Sequence, residues 1–506
     1  MIHLLLFYQE VIFMKKRMIF LLFLLISTLT GCGEKSYTIT WKNYDGTILE
    51  IDKRVKEGDI PSYDGLTPTK ESDEMYNYTF SGWSPEISEV TCDTTYIANY
   101  LESKREYTVA FVNYDESTLY EDVVYYGETA EYEGEIPYKQ GNEFIDEYTF
   151  VGWDISLDNI SSDEIATAQF VDSNTLRYKY TLDNENKTYS IDKYIGKDKE
   201  ISLPKYLEVD ENIYTLVKIN QEAFKSCSSI TSVIIPDSVV EIETWAFDFC
   251  TSLKSIKMEE GLEKIGECAF EYCQSLTSIE IPDSVTTIEG GAFFGCSSLT
   301  SIKLPDSLIS IENHTFTECR LLNSIEIPNS VKAIGERAFY YCVSLSTVIF
   351  EDDSQLTTIG GSAFENCYSL TSVKIPKNVT NIDHHAFFGC TILANLTFED
   401  GSKLATIGDA SFNSCSLLNN VRIPNSVTGI GQTAFNNCSS LTSIVIPDSV
   451  ETMGGLVFGR CPVLIIYCEA KSKPKGWHLD WNELNRPVYW ADEWHYDVNG
   501  EPVANN

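Results

Sequence analysis

From residue 223 to residue 468 the chain repeats one pattern of apolar and polar positions. Counted from a phenylalanine as position zero, apolar residues stand at +3 (Cys), +6 (Leu), +9 (Ile or Val), +11 (mostly Ile), +15 and +18. Phe270, Cys273, Leu276, Ile279, Ile281, Val285 and Ile288 make one such set. The phenylalanine recurs eleven times, from Phe224 to Phe458, at intervals of 23 residues except for two of 25. The longer intervals read "FEDDSQL" and "FEDGSKL" where the others carry proline, so the insertion is confined to one turn. Positions +9 and +11 alternate as a strand does, and proline at +12 withholds a backbone donor and ends it. The pattern predicts a leucine-rich solenoid of eleven coils, one short parallel strand per coil, stacked at ~4.8 Å. No coil can bury its apolar side alone, so stability belongs to the array.

Upstream the period shortens to two. "YTITWKNYDG" at Tyr37 returns as "YTVAFVNYDE" at Tyr107, and "YTFSGW" at Tyr78 returns as "YTFVGW" at Tyr148, both at an offset of 70. Alternating aromatic, β-branched and polar residues broken by Gly and Pro predict two small β-rich modules, 36–101 and 106–171, joined by the charged "ESKRE". Trp83 and Trp153 are candidate core anchors, with sugar stacking as the alternative.

Near its start the chain reads "MKKRMIFLLFLLISTLTGC" from Met14, a second candidate start. A basic segment, a short apolar run and small residues before Cys32 predict a signal peptide over 1–31 rather than a membrane span, which needs ~20 apolar residues. Leu29-Thr30-Gly31-Cys32 resembles a bacterial lipobox, which implies lipid attachment at Cys32.

Two further resemblances follow. The phrase "AFxxCxSLTSIxIPDSVTxIG" resembles the BspA-like leucine-rich repeat family, whose members are surface proteins with roles in adhesion and protein binding. Residues 178–222 look like the degenerate lead-in coil of such an array, before the solenoid proper at 223–468. The opening strand, the Gly58-Asp59 and Gly127-Glu128 pairs and the Phe-x-Gly-Trp strand of the two modules resemble InlB-type B-repeats (the Listeria-Bacteroides repeat), which implies a β-grasp-like fold. The expected class is thus modular α/β: a repeat solenoid preceded by two β-grasp-like modules and followed by a Trp-rich cap and tail at 469–506.

A formal net charge of −38 opposes binding to nucleic acid and to anionic membrane surfaces, leaving lipid at Cys32 as the expected membrane contact. Of fifteen cysteines, eleven fall at +3, from Cys227 to Cys461. Recurrence in every repeat favours packing as buried free thiols over metal ligation, which needs converging ligand sets, or disulfides, which need closer Cβ atoms. Cys92, Cys268 and Cys468 lie off the column, and their state is not legible. His314, His384 and His385 precede repeat phenylalanines on turns, and no metal or cofactor is expected. At +10, Lys257, Glu280, Lys303 and Glu326 alternate in sign over four successive coils, a candidate ion-pair ladder and a candidate binding face. Trp477, Trp481, Trp490 and Trp494 crowd the tail and suit either an end cap or a carbohydrate platform. No hydrolase, P-loop, zinc-protease or dinucleotide fingerprint occurs, so the expectation is a non-enzymatic protein. It would be exported, lipid-anchored at the bacterial cell surface, and bind an extracellular or host protein; a glycan is the alternative partner.

Overall fold

The computed structural model describes residues 33–505, so Cys32 and the signal segment lie outside the described residues. The contacts divide the chain into two compact units. One takes residues up to Val112 with Glu116–Gly134 and Ile155–Thr167, the other Asn113–Asp115, Glu135–Asp154 and residues from Ala168 onward.

The first module is a mixed four-stranded sheet. Its strands are β1 (Ser36–Lys42), β2 (Ile48–Lys56), β3 (Tyr76–Ser84) and β4 (Thr94–Lys104), in the order β2-β1-β4-β3. β1 and β4 run parallel and the outer pairs antiparallel, the β-grasp-like arrangement without its helix. The second copy repeats the order with β5 (Glu106–Val112), β6 (Thr118–Tyr125), β7 (Tyr148–Trp153) and β8 (Glu164–Asp172) as β6-β5-β8-β7. The fully buried ring of the first core is Trp41, stacked on Tyr96 at 4.7 Å, and its counterpart 70 residues later is the buried Phe111. Trp83 is only half-buried and packs edge-on against Trp41. Trp153 is also half-buried, beside Phe150 at 5.2 Å.

From Tyr178 onward one buried apolar cluster continues to Trp481. The expected solenoid is present, with a second strand in each coil. The longer strand covers +8 to +11, as in Ser324–Ile327, whose outward and inward positions alternate. The shorter covers +17 and +18, as in Lys264–Ile265, and contributes one inward residue, too few to leave a period-two signal in the sequence. Each kind stacks in parallel register on its like in the next coil, for example Ile279 on Ile302 and Ile265 on Ile288. Pairing lapses twice in the longer ladder, between Ser255–Met258 and Ser278–Glu280 and between Ser301–Lys303 and Ser324–Ile327. It lapses once in the shorter, between Thr287–Ile288 and Ser310–Ile311.

No α-helix occurs among the described residues, which carry only two short 3₁₀ turns, Ser173–Leu176 and Ala491–Glu493. The α/β expectation gives way to an all-sheet fold for a local reason. Around each phenylalanine, alternate backbone N–H groups point along the array: those of Phe224 and Ser226 donate to the Ala246 and Asp248 carbonyls of the next coil, both at 2.7 Å. A helix would spend those donors within its own coil. The zigzag requires left-handed backbone at −2 and +2, met by non-glycine residues in most coils, as at Trp245 and Phe249 (both φ 56°). Gly291, Gly295 and Gly389 supply it without a side-chain clash.

The phenylalanines form a continuous column from Phe224 to Phe458, neighbouring centroids 4.8–6.1 Å apart and planes within 2–16°. Tyr194 stacks on the first ring at 5.5 Å, and Trp481 meets the last edge-on at 6.1 Å.

Candidate functional site

The longer ladder presents a polar face built from +7, +8 and +10. Outward side chains at +7 and +8 are mainly Thr, Ser and Asn, because the inward sites at +9 and +11 take all the apolar residues that the coil needs. Several tie neighbouring coils together: Thr300 Oγ1 donates to the Thr277 carbonyl at 3.0 Å and Ser346 Oγ to that of Asn323 at 3.0 Å. Near the far end, Asn420 Oδ1 accepts from Thr442 at 2.8 Å and Ser443 at 2.9 Å.

The four charged residues at +10 all lie on this face, and Glu280 and Lys303 are Cα partners across coils. They do not form the expected ladder. Lys257 Nζ turns to Glu259 at 2.6 Å and Lys303 Nζ to Asp283 at 3.5 Å, and among the described residues neither Glu280 nor Glu326 is paired with a lysine. Glu259 stands on the turn after Lys257 in the same coil, and Asp283 on the corresponding turn of the coil before Lys303, so each lysine is drawn to a turn and not to the +10 glutamate of a neighbouring strand. Glu326 and Lys303 share a groove of about 220 Å³ at one of the lapses in strand pairing, with the exposed Ile349 at its edge.

A larger groove, about 710 Å³, lies further along the same face. Its floor includes Thr397, Asn420 and Arg422, and its far wall is the Asn499–Pro502 turn of the C-terminal hairpin. Arg422 donates to the Gly500 carbonyl at 3.0 Å and lies 4.4 Å from the centre of the Tyr496 ring, so it fastens the hairpin. Arg422 was missed in the sequence although it occupies +10 of its coil, because its partners lie 74 and 78 residues away. Glu399, beside it, accepts from the Lys377 backbone N–H at 2.9 Å and from Lys374 Nζ at 3.1 Å. These contacts hold its carboxyl below the usual range, the backbone bond contributing most.

The eleven repeat cysteines carry free thiols, and all but the half-buried Cys227 are buried. From Cys250 onward each also donates its S–H to the carbonyl of the preceding repeat phenylalanine, as in Cys273 to Phe247 and Cys296 to Phe270 at 3.3 and 3.2 Å. The column is therefore a set of directed donors as well as packing. Burial pushes the Cys296 and Cys390 thiols up to about 12. Cys92 is exposed, Cys268 half-buried and Cys468 buried, all three free.

The tail tryptophans close the array. Trp477, Trp481 and Trp494 are buried, and the indole N–H groups of Trp477 and Trp494 donate to the Val450 and Cys468 carbonyls at 2.9 and 3.0 Å. With those faces packed inward, no flat indole platform for sugar is formed from them. His384 Nδ1 lies 3.1 Å from Asp383 and His314 Nδ1 3.3 Å from Thr317 Oγ1. Among the described residues no group of three His, Cys, Asp or Glu side chains could hold a metal ion, and no helix is long and apolar enough to cross a membrane.

A stack of strand–turn–strand coils around one column of apolar side chains defines a leucine-rich repeat solenoid. Residues 217–346 and 332–465 match the BspA type Leucine rich repeat region, so the array is of that family. A leucine rich cell surface protein from Faecalibacterium prausnitzii A2-165 is 29% identical, covering 59% of this chain and 94% of that one, TM-score 0.36. A leucine-rich repeat protein from Bacteroides ovatus is 25% identical over 62% and 98%, TM-score 0.35. The leucine-rich repeat protein of T. pallidum is 27% identical over 48% and 88%, TM-score 0.29. No curated protein sequence matches the chain.

Proposed function

We propose that the protein is a bacterial cell-surface binding or adhesion protein without enzymatic activity, anchored by lipid at Cys32. The BspA-type array is its binding element, and the two modules, read as InlB-type B-repeats, separate anchor from array along the chain. The observation that carries this reading is the strand face itself: hydroxyl and amide side chains repeat at strand spacing along the ladder, with charged or exposed apolar residues at +10 in most coils. Such a face offers many weak, adaptable contacts to a large partner rather than one deep site, which suits a protein ligand. Lys257, Glu280, Lys303 and Glu326 are its proposed contact residues. Glu280 and Glu326, unpaired with lysine, are free to meet a partner's cations. The test is capture of extracellular or host proteins by the mature chain, compared with a Glu280→Lys/Glu326→Lys variant. A captured protein whose binding falls at least fivefold in the variant supports the reading; equal binding by both removes this face from it.

A further inference from the structure

The strand face is not the only surface the coils repeat. The corner around each phenylalanine, from −3 to +4, carries aromatic side chains that the apolar column does not use. Phe249, 45% exposed, lies 4.7 Å from the half-buried Tyr272, and Tyr272 lies 5.3 Å from Phe294. Further along, Tyr341 stands between Tyr340 at 5.4 Å and the exposed Tyr368 at 5.9 Å. This ridge has limits. It runs in two stretches, from the coil of Phe247 to that of Phe293 and from that of Phe339 to that of Phe387, parted by the coil of Phe316 with Thr317 and Glu318 at +1 and +2, over roughly 30 Å at ~4.8 Å per coil. In the next two coils the matching +1 and +2 positions are Asn413, Ser414, Asn436 and Asn437.

Two features say what the ridge fits. First, it already holds cations of its own chain. Lys225 Nζ lies 5.0 Å from the Trp245 ring centre, and the guanidinium groups of Arg337 and Arg320 lie 5.8 and 5.9 Å from those of Tyr340 and Tyr341. Second, carboxylates line it. Burial pushes the Tyr272 phenol up, and Glu271, Glu318 and Asp248 add to the effect. Asp248 is buried, meets Lys225 at 3.5 Å through one oxygen, and among the described residues has no hydrogen-bond partner for the other. The rings meet one another tilted or edge-on, at 40° and 74°, so they form a corrugated row rather than flat plates for sugars. A second copy of a chain at −38 would be repelled.

We propose that this ridge is a second binding surface, taking an extended arginine-rich segment of a partner protein. Guanidinium groups lie against the aromatic rings and between the flanking carboxylates. At ~3.3 Å per residue, a strand of about nine residues spans it. The inference extends the protein-binding reading to a surface distinct from the strand face.

Fluorescence anisotropy of a labelled decapeptide alternating arginine and serine, with the full mature chain, tests it. The control peptide replaces arginine by neutral citrulline. Expected are binding of the arginine peptide alone, weakening of at least tenfold in a Phe249→Ser/Tyr272→Ser/Tyr341→Ser variant, and a change under twofold in Glu86→Gln/Glu89→Gln, at two exposed carboxylates of the first module. The ring substitutions leave net charge untouched while the glutamate substitutions lower it. Unchanged binding by the ring variant means attraction by bulk charge alone, and weakening of the glutamate variant by as much as the ring variant means a loss not specific to the ridge; either overturns the proposal, as does absence of binding. Should the triple variant lose its cooperative melt, Phe249→Ser alone, at an exposed ring, gives the same comparison at a threefold threshold. The readout is the peptide, so the result stands or falls apart from the capture experiment above.

Discussion

Trp481 meets Phe458 edge to face, ring centroids 6.1 Å apart at 80°, and stands 23 residues after it. The repeat interval thus outlasts the repeat. Trp481 takes the twelfth place in the phenylalanine column, turned across its end instead of stacked along it, so the last ring is covered, and after it only the two-residue strand Val488–Tyr489 still pairs with the longer ladder. Trp481→Ala should cost about 3–5 kcal/mol, the range for deleting a large buried aromatic. Hydrogen exchange should accelerate first in the coils of Phe458 and Phe435. Equal acceleration across the array would mean that this ring does not seal the end.

The buried thiols make the array sensitive to alkali. Burial raises the folded-state values of Cys296 and Cys390 from 9.0 to about 12, so the folded form retains protons that the unfolded form releases. That contribution is complete below pH 9 and is lost as pH rises from 9 towards 12, at up to ~1.4 kcal/mol per pH unit for each thiol. Denaturant melts at pH 8, 9 and 10 should show stability falling with a slope that becomes shallower in Cys296→Ala/Cys390→Ala. At pH 8 the folded protein should react with a thiol reagent at Cys92 and leave the buried column unlabelled until it unfolds.

Replacing one of these cysteines by alanine should cost little beyond the side chain. The Phe270 carbonyl that receives the Cys296 thiol also accepts the Cys273 backbone N–H at 3.2 Å, so it stays satisfied when the thiol is removed. A loss of about 1 kcal/mol is expected for Cys296→Ala in denaturant titration.

Leu299 is fully buried while Thr300, its neighbour, is exposed on the strand face. Leu299→Asp should unfold several coils, because an unpaired charge would enter a core shared with both neighbours. Its cost in denaturant titration should exceed that of Thr300→Asp by several kcal/mol; equal costs would contradict the inward and outward assignment.

Arg422→Ala should loosen the C-terminal hairpin without unfolding the array. It removes one hydrogen bond to Gly500 and the contact with Tyr496, together about 1–3 kcal/mol. Amide exchange should rise over residues 494–504 and stay unchanged over the coils of Phe293 to Phe387.

Legibility in the sequence followed repetition. The inward columns from Phe270 to Ile288 could be read because each recurs every 23 residues and is buried in the structure. The shorter strand escaped notice because a two-residue strand with one inward side chain has no period. The α/β class label was too broad because nothing local in the sequence announces the left-handed residues at −2 and +2. Trp83 was singled out because its Phe-x-Gly-Trp phrase recurs, and it packs half-buried against the first core, whereas the fully buried Trp41 went unremarked because its counterpart Phe111 differs from it. The ion pairs of Lys257 and Lys303 depended on which side chain lay nearest in space, and Glu259 and Asp283 on the turns were nearer than the glutamates of the next strand.

The two ends of the phenylalanine column are closed by different residues, Tyr194 and Trp481, while every ring between them has equivalent neighbours on both sides. Evolution can therefore lengthen or shorten this array only from within. Duplicating or deleting a whole 23-residue unit leaves both closures in place, whereas an addition beyond either terminus would have to build a new one. Neighbouring units that share the phrase "SSLTSI" or "PDSV" nearly letter for letter are the material for such exchanges by unequal recombination. Related chains are thus expected to differ in coil number by whole units while keeping both seals.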